Sequence, residues 1–348
     1  SDGDYSIPSA CSPAFNSGDS KVSPIPSTDI LGNNRFIEAI DRGAFENQGA
    51  SIEVGTRYYV SSNGTGDGTS SWSNASNDLQ EVINKATCGD EIFVAKGVYK
   101  PNRKANNLTS ISPNHVDNSF TLKSNISLYG GFKGFESNPF QRNLSDTTNR
   151  TILSGDFLNN DIITYDNLGL PTFINNSENA NHVVVISNSL NVIMDGFTIQ
   201  NGRANGDNSL TINNQNLNRT YGAGLSVLGS SFINISNCTF RYNHAKGNGG
   251  GVYAVQSIVN FANCITKHNF SNQGGGLFMS EGQPNIENCH FESNRATEKG
   301  GAVFTDYNTC STKNSVFILN QAQEGGAFFN SLGSAATFQL CKILGNKA

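Results

Sequence analysis

Three carboxylates, Asp156, Asp161 and Asp166, stand five residues apart in a stretch rich in turn formers. Acidic oxygens gathered on one loop can hold calcium, which takes about six to eight oxygen ligands. The spacing is not that of an EF-hand, and ordinary turn acids are the competing and preferred reading. No other cofactor is expected. Four of the seven cysteines, Cys238, Cys264, Cys289 and Cys341, recur at a nearly constant interval, with Ser315 in the remaining place. A straight column of thiols is not a tetrahedral zinc site. On adjacent strands about 4.8 Å apart, parallel Cβ atoms are also too widely spaced for disulfides. Buried packing by small side chains is the reading that remains. Cys11, Cys88 and Cys310 fall outside the column, and a Cys11–Cys88 bridge is a candidate in an oxidising compartment.

Glycan cleavage needs carboxylates, or calcium with a basic residue, converging on one face. The repeated region does not align such groups. Two residues before each repeated asparagine stand Arg241, Lys267, Glu292, Ile318 and Leu344. Glu281 and Asp306 are out of register, and His244, His268 and His290 occupy three different columns. No catalytic residue and no histidine metal site is therefore assigned.

What must position these side chains is a repeat. Asn243, Asn269, Asn294, Asn320 and Asn346 are separated by 26, 25, 26 and 26 residues. Phe240, Thr266, Phe291, Phe317 and Ile343 keep step with them, as do Ala245, Ser271, Ala296, Ala322 and Ala348. Each period carries glycines before an apolar run, as in Gly274-Gly275-Gly276-Leu277-Phe278. Such a period is too short for paired-helix repeats. The alternation in Phe232-Ile233-Asn234-Ile235-Ser236 is that of a strand. One circuit of short strands per period predicts an all-β fold, a right-handed parallel β-helix. Equivalent residues then form ladders: Cys/Ser, Phe/Ile and Ala/Ser inward, asparagine at the turns.

Composition agrees. The 348 residues include 36 glycines and 49 asparagines, both weak helix formers. Charged residues are 15%, against roughly 25% in an ordinary domain; stacked like charges would repel at every rung. A net charge of −5 without a basic stripe argues against nucleic-acid binding. No apolar run reaches the ~20 residues of a membrane-spanning helix. The segment from Asn77 to Ala86 is the best helix, with Asn77 as candidate N-cap and Leu79, Val82 and Ile83 on one face. It is placed to cap the exposed first rung. The β-helix is assigned to 58–348: a cap (58–100), irregular coils with loops (101–220) and regular coils (221–348). An Asn-rich polar excursion interrupts it at 203–220.

The run from Tyr58 to Pro101, Tyr129-Gly130-Gly131-Phe132, Ile152-Leu153-Ser154-Gly155-Asp156 and Asp195-Gly196-Phe197-Thr198-Ile199 resemble secreted β-helix proteins of Bacteroidota, which belong to the pectin-lyase-like superfamily and often carry a sorting anchor. The pairing of Gly-Gly-[Gly/Ala] with Phe-x-x-Asn is similar to the repeat of chlamydial polymorphic outer-membrane proteins. Ser12–Asp19, Asp29–Asn33 and Ile40–Glu46 look like the closing segment of a unit in the same family. The expected organisation is therefore a closing segment (1–50), a linker (51–57) and a second β-helix, a window from a longer chain of tandem units. The resemblance implies export to an extracellular or cell-surface location, by the type IX route, and leaves activity open. The expected function is a non-enzymatic adhesin or elongated stalk or filament. Its partners would be neighbouring β-helix units, surface glycans or other cell-surface proteins. The alternatives are a polysaccharide lyase or related glycan-active enzyme using loops of 100–220, and a non-catalytic glycan-binding module.

Overall fold

The computed structural model describes residues 24, 26–34, 55–167, 171–331 and 333–348. The chain divides into two compact units. The first holds Ser1–Thr56 and Thr87–Asp90. Within it, the Asp29 carboxylate accepts from the Leu31 and Asn33 amides at 2.9 Å each, folding a turn flanked by a Thr28–Asn34 bridge. Asp90 accepts from the amides of Thr56 and Thr87, both at 2.6 Å. Most of the expected closing segment 1–50 and linker 51–57 lies outside the described residues, as does Cys11. Cys88 is disulfide-bonded.

The second unit, Arg57–Ala86 with Glu91–Ala348, is a right-handed parallel β-helix. One circuit shows its plan. Val252–Val255 lies in sheet 3, Val259–Ala262 in sheet 1, Ile265–Lys267 in sheet 2 and Phe270–Gln273 in sheet 4; Leu277–Ser280 then returns to sheet 3 one rung further on. Among the described residues sheet 1 has nine strands, sheet 2 eight, sheet 3 seven and sheet 4 four. Pairing within all four is parallel, with register shifts only after Phe93 in sheet 1 and after Ser271 in sheet 4, and it sets Phe240 opposite Thr266, Thr266 opposite Phe291 and Phe291 opposite Phe317. Alternate residues point inward, so like stacks on like. The Phe291 and Phe317 rings lie 4.8 Å apart and 3° from parallel. The main apolar core runs from Val60 to Ala327 along this axis.

Asparagine has two separate uses. In one, Asn243, Asn269, Asn294 and Asn320 are fully buried. Each side-chain Nδ2 donates to the Oδ1 of the next, at 3.0, 3.0 and 3.0 Å and finally 2.9 Å to Asn346. In the other, Asn237, Asn263, Asn288 and Asn314 turn the corner between sheets 1 and 2 with φ of 52°, 54°, 53° and 50°. That left-handed conformation is costly for most side chains and tolerated by asparagine. Fourteen asparagines among the described residues adopt it, which accounts for much of the unusual composition. At the corner before sheet 3 the requirement is stricter. Gly274 has φ +64°, and a Cβ there would lie 2.4 Å from the Leu277 carbonyl oxygen. The glycine column lies over stacked rings of Tyr253, Phe278, Phe304 and Phe329, with centroids 4.9–5.4 Å apart.

The helix spans Leu79–Lys85. Its N-cap is Asp78, one residue past the expected Asn77, because the Asp78 carboxylate accepts from the Glu81 amide at 2.9 Å. Arg103 holds the same carboxylate, with Nη1 2.7 Å from both oxygens. The helix covers the open edge of sheet 3, the strand Phe120–Leu122. There Gln80, fully buried, supplies the hydrogen bonds of a missing strand: Thr121 N–H donates to its Oε1 at 2.8 Å, and its Nε2 donates to Thr121 O at 3.2 Å. Gln80→Ala is expected to leave both backbone groups unpaired and to cost about 2–5 kcal/mol in urea unfolding. Gln80→Glu, which loses the donor and buries a charge facing the Thr121 carbonyl, is expected to do no better. Hydrogen exchange at the Thr121 amide reads the defect directly.

The segment 203–220 is more structured than its polarity predicts. Ser209–Ile212 and Gln215–Asn218 form a hairpin whose Asn213-Asn214 turn has φ of 48° and 63°. Leu210, Ile212 and Leu217 pack with Val185 and Leu228 in a small separate core.

Candidate functional site

Asp156 and Asp161 come together, and the third acid is Glu178 rather than Asp166. Carboxylate oxygens of these three lie within 4.8 Å of one another. The topology explains the exchange. Asp156 follows the sheet 2 strand Thr151–Ser154, and its oxygens accept from the Asn160 and Asp161 amides at 3.3 Å each, closing a tight loop. Asp161 directly precedes a hairpin of Ile162–Tyr165 and Pro171–Ile174. Asp166 lies beyond the first strand, towards the tip. Glu178 and Asn179 follow the returning strand and so meet Asp161 at the neck.

Asn179 and Asn201 donate their Nδ2 groups to Asp161 Oδ2 at 2.8 and 2.5 Å. Burial nonetheless pushes the Asp161 carboxyl up to about 6 against those two donors, and the Asp156 and Glu178 carboxylates add to the rise. Lys100 donates to Phe157 O at 2.9 Å and feels all three acids, though burial lowers its pKa overall. Arg203 Nη1 contacts His244 Nδ1 at 2.5 Å and is attracted to Asp161. Glu178, Asn179, Asn201, Lys100 and Arg203 carry no sequence signal of their own, because they gather only when the hairpin closes.

The hairpin rests on a corner of aromatic side chains. Tyr165 Oη lies 3.0 Å from Tyr242 Oη, Tyr165 meets the His268 ring edge-on, and Phe173 packs on His244. Tyr242 stacks on His268, and His244 abuts Phe270. Arg241 and Arg295 lie over Tyr242 and Phe270. His244, His268 and His290 stay apart as ligands: the first two belong to this cluster and His290 faces Glu292.

The cysteine column is internal. Cys238, Cys264 and Cys289 are buried free thiols, Cys341 is partly exposed, and Ser315 sits among them. Their Sγ atoms donate to backbone carbonyls, as Cys289 does to Glu287 O at 3.2 Å. Burial pushes the Cys238 thiol up to about 12, which suits packing and not nucleophilic attack. An open cleft of ≈ 340 Å³ over sheet 2 is lined by Asp146, Asn149, Arg150, Thr198 and Thr239. Its acid, Asp146, is engaged by the Thr148 amide and by Asn149 Nδ2.

Ser226, His182 and Asp117 have the residue types of a hydrolase triad but not its arrangement. His182 Nδ1 faces both Gly222 O (3.0 Å) and Ser226 Oγ (3.4 Å), and its Nε2 is buried without a partner. Asp117 is held by Arg219 at 2.7 and 2.9 Å and by Asn181. Burial lowers His182 to about 4 from its ordinary 6.5, so the native state binds fewer protons than the unfolded chain between those values. The stability from a neutral His182 is present above pH 6.5 and is lost as pH falls towards 4, by roughly 3 kcal/mol. Asp161 titrates in the opposite sense over the same window, so the contrast between variants is the readout. His182→Gln is expected to remove this acid sensitivity in urea unfolding measured from pH 7 to 4.

Residues 237–255 and 288–306 each match the Chlamydia polymorphic membrane protein (Chlamydia_PMP) repeat. The matched segments occupy equivalent positions two circuits apart, each running from the corner asparagine (Asn237, Asn288) through the asparagine ladder to a sheet 3 strand. No curated protein matches the chain. Among solved structures, the pectate lyase Pel9A is similar at 14% identity and TM-score 0.40, over 77% of this chain and 54% of that one. The chain thus spans about half that enzyme's length. The cedar-pollen allergen jun a 1 is similar at 7% identity and TM-score 0.42, over 85% and 79%. The pectin methylesterase of Aspergillus niger is similar at 12% identity and TM-score 0.31, over 87% and 88%. The fold assignment rests on the sheet pairings themselves. Among the described residues no helix is long and apolar enough to cross a membrane.

Proposed function

We propose that this chain is a non-enzymatic repeat module of a cell-surface or extracellular protein, serving as an adhesin or as part of an elongated stalk. The observation that carries this reading is the unbroken asparagine column, bonded side chain to side chain from Asn243 to Asn346. It ties each circuit to the next and makes the stack a stiff rod. Such a rod holds loops away from a surface without segmental bending. The match to a repeat named for membrane proteins supports the same location. Partners of this reading are surface glycans or other cell-surface proteins and neighbouring β-helix units. The test is protease shaving of intact cells with an antibody to this chain, together with adhesion of the purified chain to cells and glycans. Retention in the cytosol sinks it, and no adhesion at any concentration removes the adhesin and leaves the stalk.

A second reading is favoured by one specific arrangement. Three acids converge with Lys100 and Arg203 beside an aromatic corner, in the loops where a glycan-active enzyme would carry its machinery. Aromatic faces and arginines also suit sugar binding without cleavage. Incubation with acidic polysaccharides separates these: chain cleavage that Asp161→Asn abolishes favours the enzyme, and retention on the polysaccharide without cleavage favours the binding module.

A further inference from the structure

We propose that the neck of the 162–174 hairpin is a calcium site, with Asp156, Asp161 and Glu178 as carboxylate ligands and the side-chain oxygens of Asn179 and Asn201 completing an all-oxygen shell. The inference goes beyond the surface-module reading and does not depend on it. Calcium binds oxygens at about 2.3–2.6 Å, so two ligands of one ion stand no more than about 5 Å apart. The three carboxylates meet that condition, with oxygens within 4.8 Å of one another.

A second observation points to an ion. Asn179 and Asn201 are 1% and 7% exposed, and both turn their amides to Asp161 through Nδ2. The Oδ1 of each is buried and has no hydrogen-bond partner. Asp161 Oδ1 and Glu178 Oε1 are buried and unpartnered as well. Four buried acceptors at one neck are costly to leave unmet. Of the nearby donors, Lys100 is bonded to Phe157 O and Arg203 Nη1 to His244, while Arg203 Nε is buried without a partner and none is bonded to these oxygens. A cation held among the three carboxylates would meet the free Asp161 and Glu178 oxygens. Three carboxylates against the Lys100 ammonium and the Arg203 guanidinium still leave a net negative charge, which favours a cation. Carboxylate and amide oxygens on irregular loops fit calcium better than zinc, which prefers nitrogen and sulfur, or magnesium, which demands a regular octahedron.

The ion would tie the outgoing end of the hairpin, at Asp161, to its returning end, at Glu178 and Asn179. That would fix Tyr165 and Phe173 against Tyr242 and His244. The test uses the full chain stripped with EGTA and titrated with calcium chloride by calorimetry. One ion per chain is expected to bind, and saturation to raise Tm by about 2–4 °C. Asp161→Asn and Glu178→Gln are each expected to weaken binding at least tenfold, while Asp166→Asn binds as the unaltered chain does. In the unaltered chain, calcium at about ten times its Kd is expected to slow chymotryptic cleavage within the hairpin about tenfold. This readout needs no variant to fold. Absence of binding heat, loss of binding in Asp166→Asn equal to that in Asp161→Asn, or unchanged cleavage of the hairpin overturns the proposal.

Discussion

Asn294→Ala is expected to lower the unfolding free energy by about 4 kcal/mol. Asn294 Oδ1 accepts from both the backbone and the side chain of Asn269, at 3.2 and 3.0 Å. Its Nδ2 donates to Thr266 O at 2.7 Å and to Asn320 Oδ1 at 3.0 Å. Truncation leaves the Asn269 amide and the Thr266 carbonyl without these partners, in a place no water reaches. Asn269 Nδ2 keeps Phe240 O, and Asn320 Oδ1 keeps the Asn294 amide, so those two groups are weakened and not orphaned. Each buried group left unpaired costs about 1–3 kcal/mol. Asn294→Asp is expected to do no better, since it buries a charge and removes both donated bonds. Urea unfolding gives the magnitude. Hydrogen exchange should place the loss of protection at Asn269 and the adjoining circuits, because each rung contacts only its neighbours. Loss of less than about 1 kcal/mol would mean the column is not a structural tie.

Arg142→Met is expected to cost about 3–5 kcal/mol. Arg142 and Asp195 meet at 2.6 Å with side chains 7% and 9% exposed. Arg142 also donates to Gly130 O and Pro139 O, both at 2.8 Å, and lies over the Tyr129 and Phe132 rings. The pair pins the loop after Phe132 onto the helix. Removing the guanidinium strands a buried carboxylate with only Ser236 and Asn237 Nδ2 as donors. Removing both charges, as Arg142→Met with Asp195→Leu, is expected to recover a large part of the loss, because desolvating two ions offsets much of their attraction. A double-mutant cycle in urea measures the coupling. Equal losses for the single and double variants would show that packing over the rings, and not the ion pair, holds the loop.

The regular circuits are legible in the sequence because a parallel stack places each residue beside its own equivalent. The spacing of Asn243, Asn269, Asn294, Asn320 and Asn346 is therefore also a list of neighbours, and strand order follows from it. The corner asparagines follow from the same period. The N-terminal coils lack this redundancy. Nothing in the order Asp156, Asp161, Asp166 reveals that the chain doubles back after Tyr165 and returns Glu178 to the cluster. That outcome is set by strand pairing between Ile162–Tyr165 and Pro171–Ile174, a tertiary event that linear spacing does not encode. The hairpin of 209–218 did leave a signal, since Leu210 and Ile212 alternate just before the Asn-Asn turn. The density of polar residues masked it. Gln80 left none: its role as a surrogate strand depends on where the helix lands.

The register of the ladders bears on how such a molecule changes length over generations. Excising the segment from Cys264 to Asn288 would join Asn263 to Cys289, and every column would close again on an equivalent residue. Asn243 would then face Asn294, and Phe240 would face Phe291. Duplicating the same segment would be equally harmless. Recombination between neighbouring circuits can therefore lengthen or shorten the rod in whole steps, while any shift out of phase puts polar corner residues into the core and is eliminated. A gene of this kind carries its own ruler.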